Sequence, residues 1–334
     1  MFDLAELVPA CQWRVASHRK SLLFVGVFMK IAILGAGSLG CVIGGVLTEA
    51  GQEVWLINRH ADRVAHLRQH GLLMRVGEVD RRVAVQAAVR AQEVGPVDLV
   101  VVLVKSFHTD EAMAQSLALL GPQTCVLSLQ NGVGHEDILA RRVGRERVLV
   151  GRTYVGGSPL GEGHVIAGYR GKDTHMGELD GALTERVQRI AHIFNAAGLH
   201  TVVSENIMGT VWDKLLINVA TGAITAITGL SYGPLYAQPQ LQALGLAAVQ
   251  EAMAVARAQG VSLSITDPLF AWTKAGAGLG HDFKTSMLQS LEKGSVTEID
   301  YVNGAVVSLG ARLGVATPVN SALLALVKGL ESRL

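Results

Sequence analysis

The chain is short of charge and of cysteine, and each shortage excludes something. Only 17% of its 334 residues are Asp, Glu, Lys or Arg. Basic and acidic groups balance at 29 against 28, a formal net charge of +1. That balance leaves no electrostatic footprint for nucleic acid and no polybasic patch for a membrane surface. The cysteines number three, Cys11, Cys41 and Cys125, and they stand far apart. They form no CxxC pair, and no Cys/His group has zinc-ligand spacing, so neither a disulfide framework nor a metal site is expected. Cys41 and Cys125 lie in apolar runs and read as core thiols. The pattern suits a reducing, cytoplasmic setting.

Low charge with a positive mean hydropathy raises the question of a membrane span. Two stretches, Ile31–Thr48 and Leu215–Gln250, hold no Asp, Glu, Lys or Arg. A spanning helix needs about 20 predominantly apolar residues. The first stretch is interrupted by five glycines. The second contains Asn218, Pro234, Pro239, several threonines and three glutamines between 238 and 242. Neither has a basic flank on one side. Both read as buried elements of a large folded core.

The length corresponds to two domains at roughly 100–200 residues each. Residues 1–28 carry Arg14, Arg19 and Lys20 ahead of an apolar run, a loose likeness to a signal peptide. The run continues into Lys30 without a small-residue cleavage site, and Met29-Lys30 reads as a natural start. Residues 1–28 are therefore expected to be an extension. Beyond them, continuous apolar runs alternate with helical patterns. Strands are expected at Lys30–Leu34, Glu53–Ile57, Asp98–Val104, Thr124–Leu129 and Val148–Tyr154. Further strand-like pieces follow near 163–167, 175–179 and 201–204. The intervening helices run from Asp62 to about Gln69, from about Thr109 to Leu120, near Glu136–Arg142, and from about 184 to 197. Apolar strands alternating with helices predict a parallel sheet covered on both faces. After about 205 only helical patterns remain: Trp212–Thr228, Gln240–Gln259, Pro268–Ala275, Lys284–Glu292, Ile299–Leu313 and Pro318–Ser332. Asp267-Pro268 and Thr317-Pro318 look like helix starts, Gly260 and Gly314 like helix stops. The expected organisation is α/β: an N-terminal Rossmann-type parallel-sheet domain over 29–205, then an all-α domain over 206–334.

At the first strand-to-helix turn stands Gly35-Ala36-Gly37-Ser38-Leu39-Gly40, a G-x-G-x-x-G run. In this context each glycine has a function. Gly35 allows the tight turn, Gly37 lets the backbone approach a pyrophosphate, and Gly40 lets the helix pack closely on the strand. The helix N-terminus then offers free amides to the phosphates. A dinucleotide site is the expectation, with Gly40 and Gly44 serving helix–strand packing. The tip of the second strand selects the cofactor. NAD sites commonly place a carboxylate there. This chain has Asn58-Arg59-His60 instead, so Arg59, with Asn58 beside it and Arg63 one turn on, is expected to hold the 2′-phosphate of NADP.

Polar residues interrupt the apolar sequence where the mouth of the sheet should lie. Lys105 ends one strand, and Asn131-Gly132 ends another. Ligands bind in crevices outside the carboxyl ends of such strands. In the helical half, Lys214 and Asn218 share one face of an apolar helix at i, i+4, and Thr221 continues it. Such a lysine either snorkels to the surface or is buried for a purpose. Thr285-Ser286 and Thr297-Glu298-Ile299-Asp300-Tyr301 place hydroxyls and carboxylates near further apolar faces.

These features, taken in order, resemble the ketopantoate reductases (2-dehydropantoate 2-reductases). The likeness rests on Gly35–Gly40, Lys105, Gln130-Asn131-Gly132, Trp212 through Asn218, Thr285-Ser286-Met287-Leu288, and Thr297 through Gly304. It covers about residues 29 to 330. The resemblance implies NADPH-dependent reduction of 2-dehydropantoate to (R)-pantoate, a step towards coenzyme A, in the cleft between the domains. It makes Lys214 the proton donor to the C2 carbonyl oxygen, and has Glu298 position substrate or cofactor and balance Lys214. Asn131 and Lys105 would line the nicotinamide side, while Asn131, Asn218 and Ser286 would contact substrate. The expected partner is a small 2-keto acid, with a homodimer in view. One departure stands out: where the family pattern has a second asparagine four residues after the first, this chain has Gly222. That loss points to an alternative, a mandelate-type D-2-hydroxyacid dehydrogenase acting on a bulkier 2-keto acid. A rival of another class is an NADP-binding sensor without catalysis, which would not need the proton donor.

Overall fold

The computed structural model describes residues 28–334, so the extension expected over 1–28 lies, but for Phe28, outside the described residues. The first half supplies twelve strands and five helices. In chain order they are β1 (Lys30–Leu34), α1 (Ser38–Glu49), β2 (Glu53–Ile57), α2 (Ala61–His70), β3 (Leu72–Val76), β4 (Val79–Val83), β5 (Gln86–Ala88) and β6 (Val97–Val102). Next come α3 (Thr109–Ala114), β7 (Leu120–Ser128), α4 (His135–Val143), β8 (Val148–Thr153), β9 (Gly156–Gly161), β10 (His164–Gly168), β11 (Thr174–Glu178), α5 (Glu185–Ala196) and β12 (Thr201–Val203). The second half is helical: α6 (Ile207–Thr228), α7 (Tyr232–Tyr236), α8 (Pro239–Ala258), α9 (Pro268–Gly276), α10 (Ser286–Glu292), α11 (Asn303–Leu313) and α12 (Pro318–Glu331).

Eight strands form the main sheet in the order β12-β11-β8-β7-β6-β1-β2-β5. All neighbours are parallel except β11, which runs against β8. The chain moves outward from β1 to β2 and later returns to the other side of β1 at β6. That reversal opens the crevice in which parallel sheets bind ligands. Register brings the carboxyl ends level: Leu34 pairs with Val102, Val102 with Ser128, and Ser128 with Val150. The loops after β1, β6, β7 and β8 therefore share one edge.

A second sheet, β4-β3-β10-β9, was not expected. It covers the far side of α1, so that helix lies between two sheets. The glycines inside α1 make this possible. A Cβ on Gly44 would run into Leu56 of the main sheet, and one on Gly45 would lie 2.6 Å from Met74 Sδ of the small sheet. The uncharged stretch Ile31–Thr48 is thus β1 and a helix with two covered faces.

The second uncharged stretch begins on α6, which is buried continuously from Val219 to Ala226. Helices α8, α9, α10 and α12 pack around it. Asn206 caps its start by accepting from Gly209 N, and Gly229, in the left-handed region at φ 71°, ends it. Its first turns lie on β8 and β11, so one apolar core runs from Val126 and Val150 through Trp212 and Leu216 to Val249 and Trp272. Among the described residues no helix is long and apolar enough to cross a membrane.

Two expected helices end differently. The helix expected to reach Leu120 stops at Ala114; a short 3-10 turn follows, and Leu120 already pairs with Val97. The helix expected over Ile299–Leu313 is a 3-10 turn at Ile299–Tyr301 and then α11, broken at Val302. The break leaves the Tyr301 carbonyl free to accept from Val133 N at 3.2 Å.

Candidate functional site

The glycine turn meets the steric demands of a dinucleotide cradle. Gly35 has φ 105°, and a Cβ there would press on the Val104 backbone. A Cβ at Gly40 would collide with the Gly35 carbonyl, so no larger residue fits beneath the turn. Gly37 has nothing within 4 Å of its would-be Cβ, which is the open side where a pyrophosphate would approach. Helix α1 begins there with no acidic residue in its first turn, so the positive end of its dipole is left unopposed at the turn, with Ser38 and Leu39 part-buried and Gly40 buried. Buried Ala36 closes the turn: its amide donates to the Ile57 carbonyl at 2.9 Å.

The tip of β2 divides its work. Asn58 Nδ2 donates to Ala36 O at 2.8 Å, and its Oδ1 accepts from His60 N at 3.0 Å. This amide braces the glycine turn with one of its two N–H groups, a role that the sequence did not suggest. Arg59 is exposed; its Nη1 lies 3.3 Å from His108 Nε2 and no described carboxylate pairs with it. His108 is held below its ordinary range by burial and by Arg59. Arg63 is exposed on α2. A guanidinium with no acidic partner, beside the cradle, suits a 2′-phosphate.

Across the crevice the two halves meet at Glu298. Its Oε1 accepts from Ser106 Oγ at 2.6 Å and from Ser106 N at 3.0 Å, while Lys105 Nζ stands 3.6 Å from Oε2. Lys105 is more than half exposed, Glu298 only 14%. Glu298 thus ties the loop after β6 to the helical half, with Lys105 as its ionic partner. The Asn131 loop is fastened in the same seam. His135 Nε2 lies 2.8 Å from the Asn131 carbonyl, and its ring stacks on Tyr301 with centroids 4.9 Å apart. Gly132 leaves room for the Tyr301 backbone, which a Cβ would strike. Asn131 itself remains part-buried at the mouth.

Lys214 lies on α6, part-buried, with Nζ donating to the Thr153 carbonyl at 2.7 Å, at the end of β8. Its Nζ is 5.6 Å from the centre of the Tyr154 ring. Desolvation, and then the positive charge of Arg152, bring its pKa down to about 8, against an opposing pull from Glu298. Glu298 therefore counts in the electrostatics of Lys214, but the structure bonds it to Ser106 and Lys105 instead. One turn on, Asn218 is part-buried on the same helix. Ser286 is exposed in the first turn of α10, behind the N-cap Thr285. The space over Gly222 is lined by Met287, whose Cε would lie 3.4 Å from a Cβ there.

The lysine, the glutamate and the glycine turn singled out in the sequence all lie along the crevice. Ser106, Thr153, Arg152 and Tyr154 stand beside them and were not singled out. Ser106 had a signal, standing next to Lys105 at a strand end. Thr153 acts through its backbone carbonyl, and a carbonyl has no signature in sequence. Among the described residues no group of three or more His, Cys, Asp or Glu could hold a metal ion.

Known proteins share this fold and much of this sequence. The model of the family described as ketopantoate reductase PanE/ApbA matches residues 31–181, and that for its C-terminal part matches 206–331. A 2-dehydropantoate 2-reductase of Pyrococcus horikoshii is 32% identical over 305 residues, spanning 91% of this chain and 98% of the relative. One from Halobacterium salinarum is 34% identical, spanning 90% and 98%. The crystal structure of a PanE/ApbA family ketopantoate reductase from Ralstonia eutropha JMP134 superposes with a TM-score of 0.83 at 36% identity, covering 91% of this chain and 99% of that one. The ternary structure of D-mandelate dehydrogenase with NADH and anilino(oxo)acetate superposes with a TM-score of 0.85 at 28% identity, with the same coverage of 91% and 99%.

Proposed function

This chain belongs to the ketopantoate reductase family, and from that premise we propose that it reduces a small 2-keto acid with NADPH, 2-dehydropantoate to (R)-pantoate foremost. The observation that carries the reading is the Lys214 ammonium. It sits at the carboxyl edge of the sheet, hydrogen-bonded to Thr153 O, with its pKa brought down to about 8 by desolvation and Arg152. A general acid works best when its pKa lies near the working pH.

Bound NADPH would supply the hydride. The glycine turn and the open end of α1 would hold its pyrophosphate, and Arg59 its 2′-phosphate. Lys105 and Asn131 would line the nicotinamide side of the crevice. Lys214 donates its proton to the C2 carbonyl oxygen as that oxygen gains charge, and the remaining positive field of the site stabilises the developing alkoxide. Asn218 and Ser286 bond the polar groups of the substrate. Glu298, fixed by Ser106, keeps the loop after β6 against the helical half, so the two walls of the cleft hold their spacing.

A second reading has its own observation. The family's second asparagine would stand at Gly222, and here Met287 lines that space. An apolar methyl where an amide is usual favours a bulkier, less hydroxylated 2-keto acid. D-mandelate dehydrogenase, one of the similar structures, was solved with anilino(oxo)acetate. A panel of 2-keto acids assayed with NADPH and with NADH decides between the readings. The first expects the highest kcat/KM with 2-dehydropantoate and NADPH. Preference for an aryl 2-keto acid selects the second, and cofactor binding without turnover of any 2-keto acid would leave only a sensor.

A further inference from the structure

Arg152, which bears on the acidity of Lys214, belongs to a charged cluster that the reaction as described does not otherwise use. Strands β8 and β11 pair antiparallel with Arg152 opposite His175. Asp173, just before β11, receives both: Arg152 Nη1 is 3.0 Å and His175 Nε2 2.9 Å from its Oδ2. The Arg152 contact is an ion pair without a directed hydrogen bond, and its Nη1 is buried. The Arg152 side chain is only 14% exposed, and its guanidinium lies 4.4 Å from the centre of the Tyr154 ring. Lys214 Nζ approaches that same ring, so the ring holds the two cations in one neighbourhood.

We propose that Arg152 is a positioning residue for the reduction: clamped by Asp173 and laid on Tyr154, it keeps a fixed positive charge beside Lys214 and makes that ammonium a readier proton donor. This rests on the reading of Lys214 as the acid. Like charges disfavour each other's charged form, most strongly where water is excluded. An arginine suits the role because it stays protonated at any working pH, so it can press on a neighbouring lysine without itself titrating.

The other groups around Lys214 do not substitute for Arg152. From α6 itself, Asp213 is engaged by the Ser264 amide and hydroxyl and by the Ile265 amide. From the seam, Glu298 pulls the other way and is paired with Lys105. From β11, His175 is held below its ordinary range by burial and Arg152, which disfavours its charged form. Burial works to raise the Asp173 carboxyl, but Arg152 and His175 together hold it below its ordinary range, so it remains an anion. From the link after β8, Tyr154 is pushed above its ordinary range by burial and stays a neutral phenol. Among the described residues Arg152 is the one cation acting on Lys214 from the sheet.

The test compares Arg152→Met, Arg152→Lys and Asp173→Asn with the wild type. Two readouts are used: the pH profile of kcat/KM for NADPH-dependent reduction, and the titration of Lys214 after reductive 13C-methylation, its signal identified by loss in Lys214→Ala. Arg152→Met should move the Lys214 titration and the alkaline limb upward together by about one unit. Arg152→Lys should return both to near the wild-type position. Asp173→Asn, which strips the counter-charge, should move both downward. A Lys214 titration that stays in place in Arg152→Met overturns the proposal, as does equal loss of activity in all three variants with an unmoved limb. The titration needs no substrate, so it separates this inference from the assignment of Lys214 as the acid. That assignment fails instead if Lys214→Ala keeps wild-type turnover.

Discussion

A lysine with its ordinary acidity holds its proton too firmly to be a ready donor near neutral pH, and an exposed one has no reason to change. Lys214 escapes both limits through position alone: a carbonyl at 2.7 Å fixes the ammonium while desolvation and Arg152 make its proton easier to lose. Replacing it with alanine should reduce kcat by roughly 10²–10⁴-fold, the usual worth of a general acid, while fluorescence titration should find NADPH binding unchanged. In the proposed reading Arg59 carries the cofactor choice. Arg59→Ala should weaken NADPH binding by about tenfold to a hundredfold, the loss of a charge-assisted contact, and leave NADH binding as it was; equal losses for both would remove Arg59 from the 2′-phosphate. Much of this was legible from residue types. A lysine and an asparagine at i, i+4 on an apolar helix, or an arginine in place of a strand-end acid, are visible in one dimension. The Asn58 amide bracing Ala36, and Arg152 on β8 pressing on Lys214 of α6, were not. Their partners are brought in by sheet register and strand-end geometry, which single residues do not encode.

Elements in this chain are shaped by what covers them. Helix α1 has sheets on both sides, and Gly44 and Gly45 face one each. Gly45→Val should overpack the α1–small sheet contact and cost about 1–3 kcal/mol, read as a lower denaturant midpoint with an unchanged m-value. An unchanged midpoint would mean that the small sheet moves aside. The central strands of the main sheet were readable because they are apolar runs, as in Leu99–Val102, whereas the short edge strand β5 was not expected. Of the small sheet only β10 was, near 163–167; Val79–Val83 reads Val-Asp-Arg-Arg-Val, and Gly156–Gly161 is half glycine with one proline. Such strands form because the outer face of α1 needs a cover, a tertiary demand that overrides weak local propensity. The break at Val302 was hidden for a similar reason. Its consequence, the Tyr301 carbonyl meeting Val133 N, belongs to the seam.

At the scale of the whole molecule, the α/β and helical halves share one apolar core, running from the β7–β8 face of the sheet through α6. They are further joined at Glu298–Ser106 and at Val133–Tyr301. Calorimetry should therefore record a single unfolding transition, with calorimetric and van't Hoff enthalpies in agreement; two resolved transitions would mean that the shared core does not couple the halves. The order of motifs along the chain carried the fold class and the family. It could not reveal that the cleft wall is a seam fastened by backbone groups. The central claim is that Lys214 is the proton donor, tuned by its surroundings. The pH profile of kcat/KM for NADPH-dependent reduction of the preferred 2-keto acid tests it most directly. With the Lys214 pKa at about 8, the rate should hold below that pH, where the ammonium is intact, and fall above it as the proton is lost. A rate that stays flat, or rises, well above that pH would contradict the account.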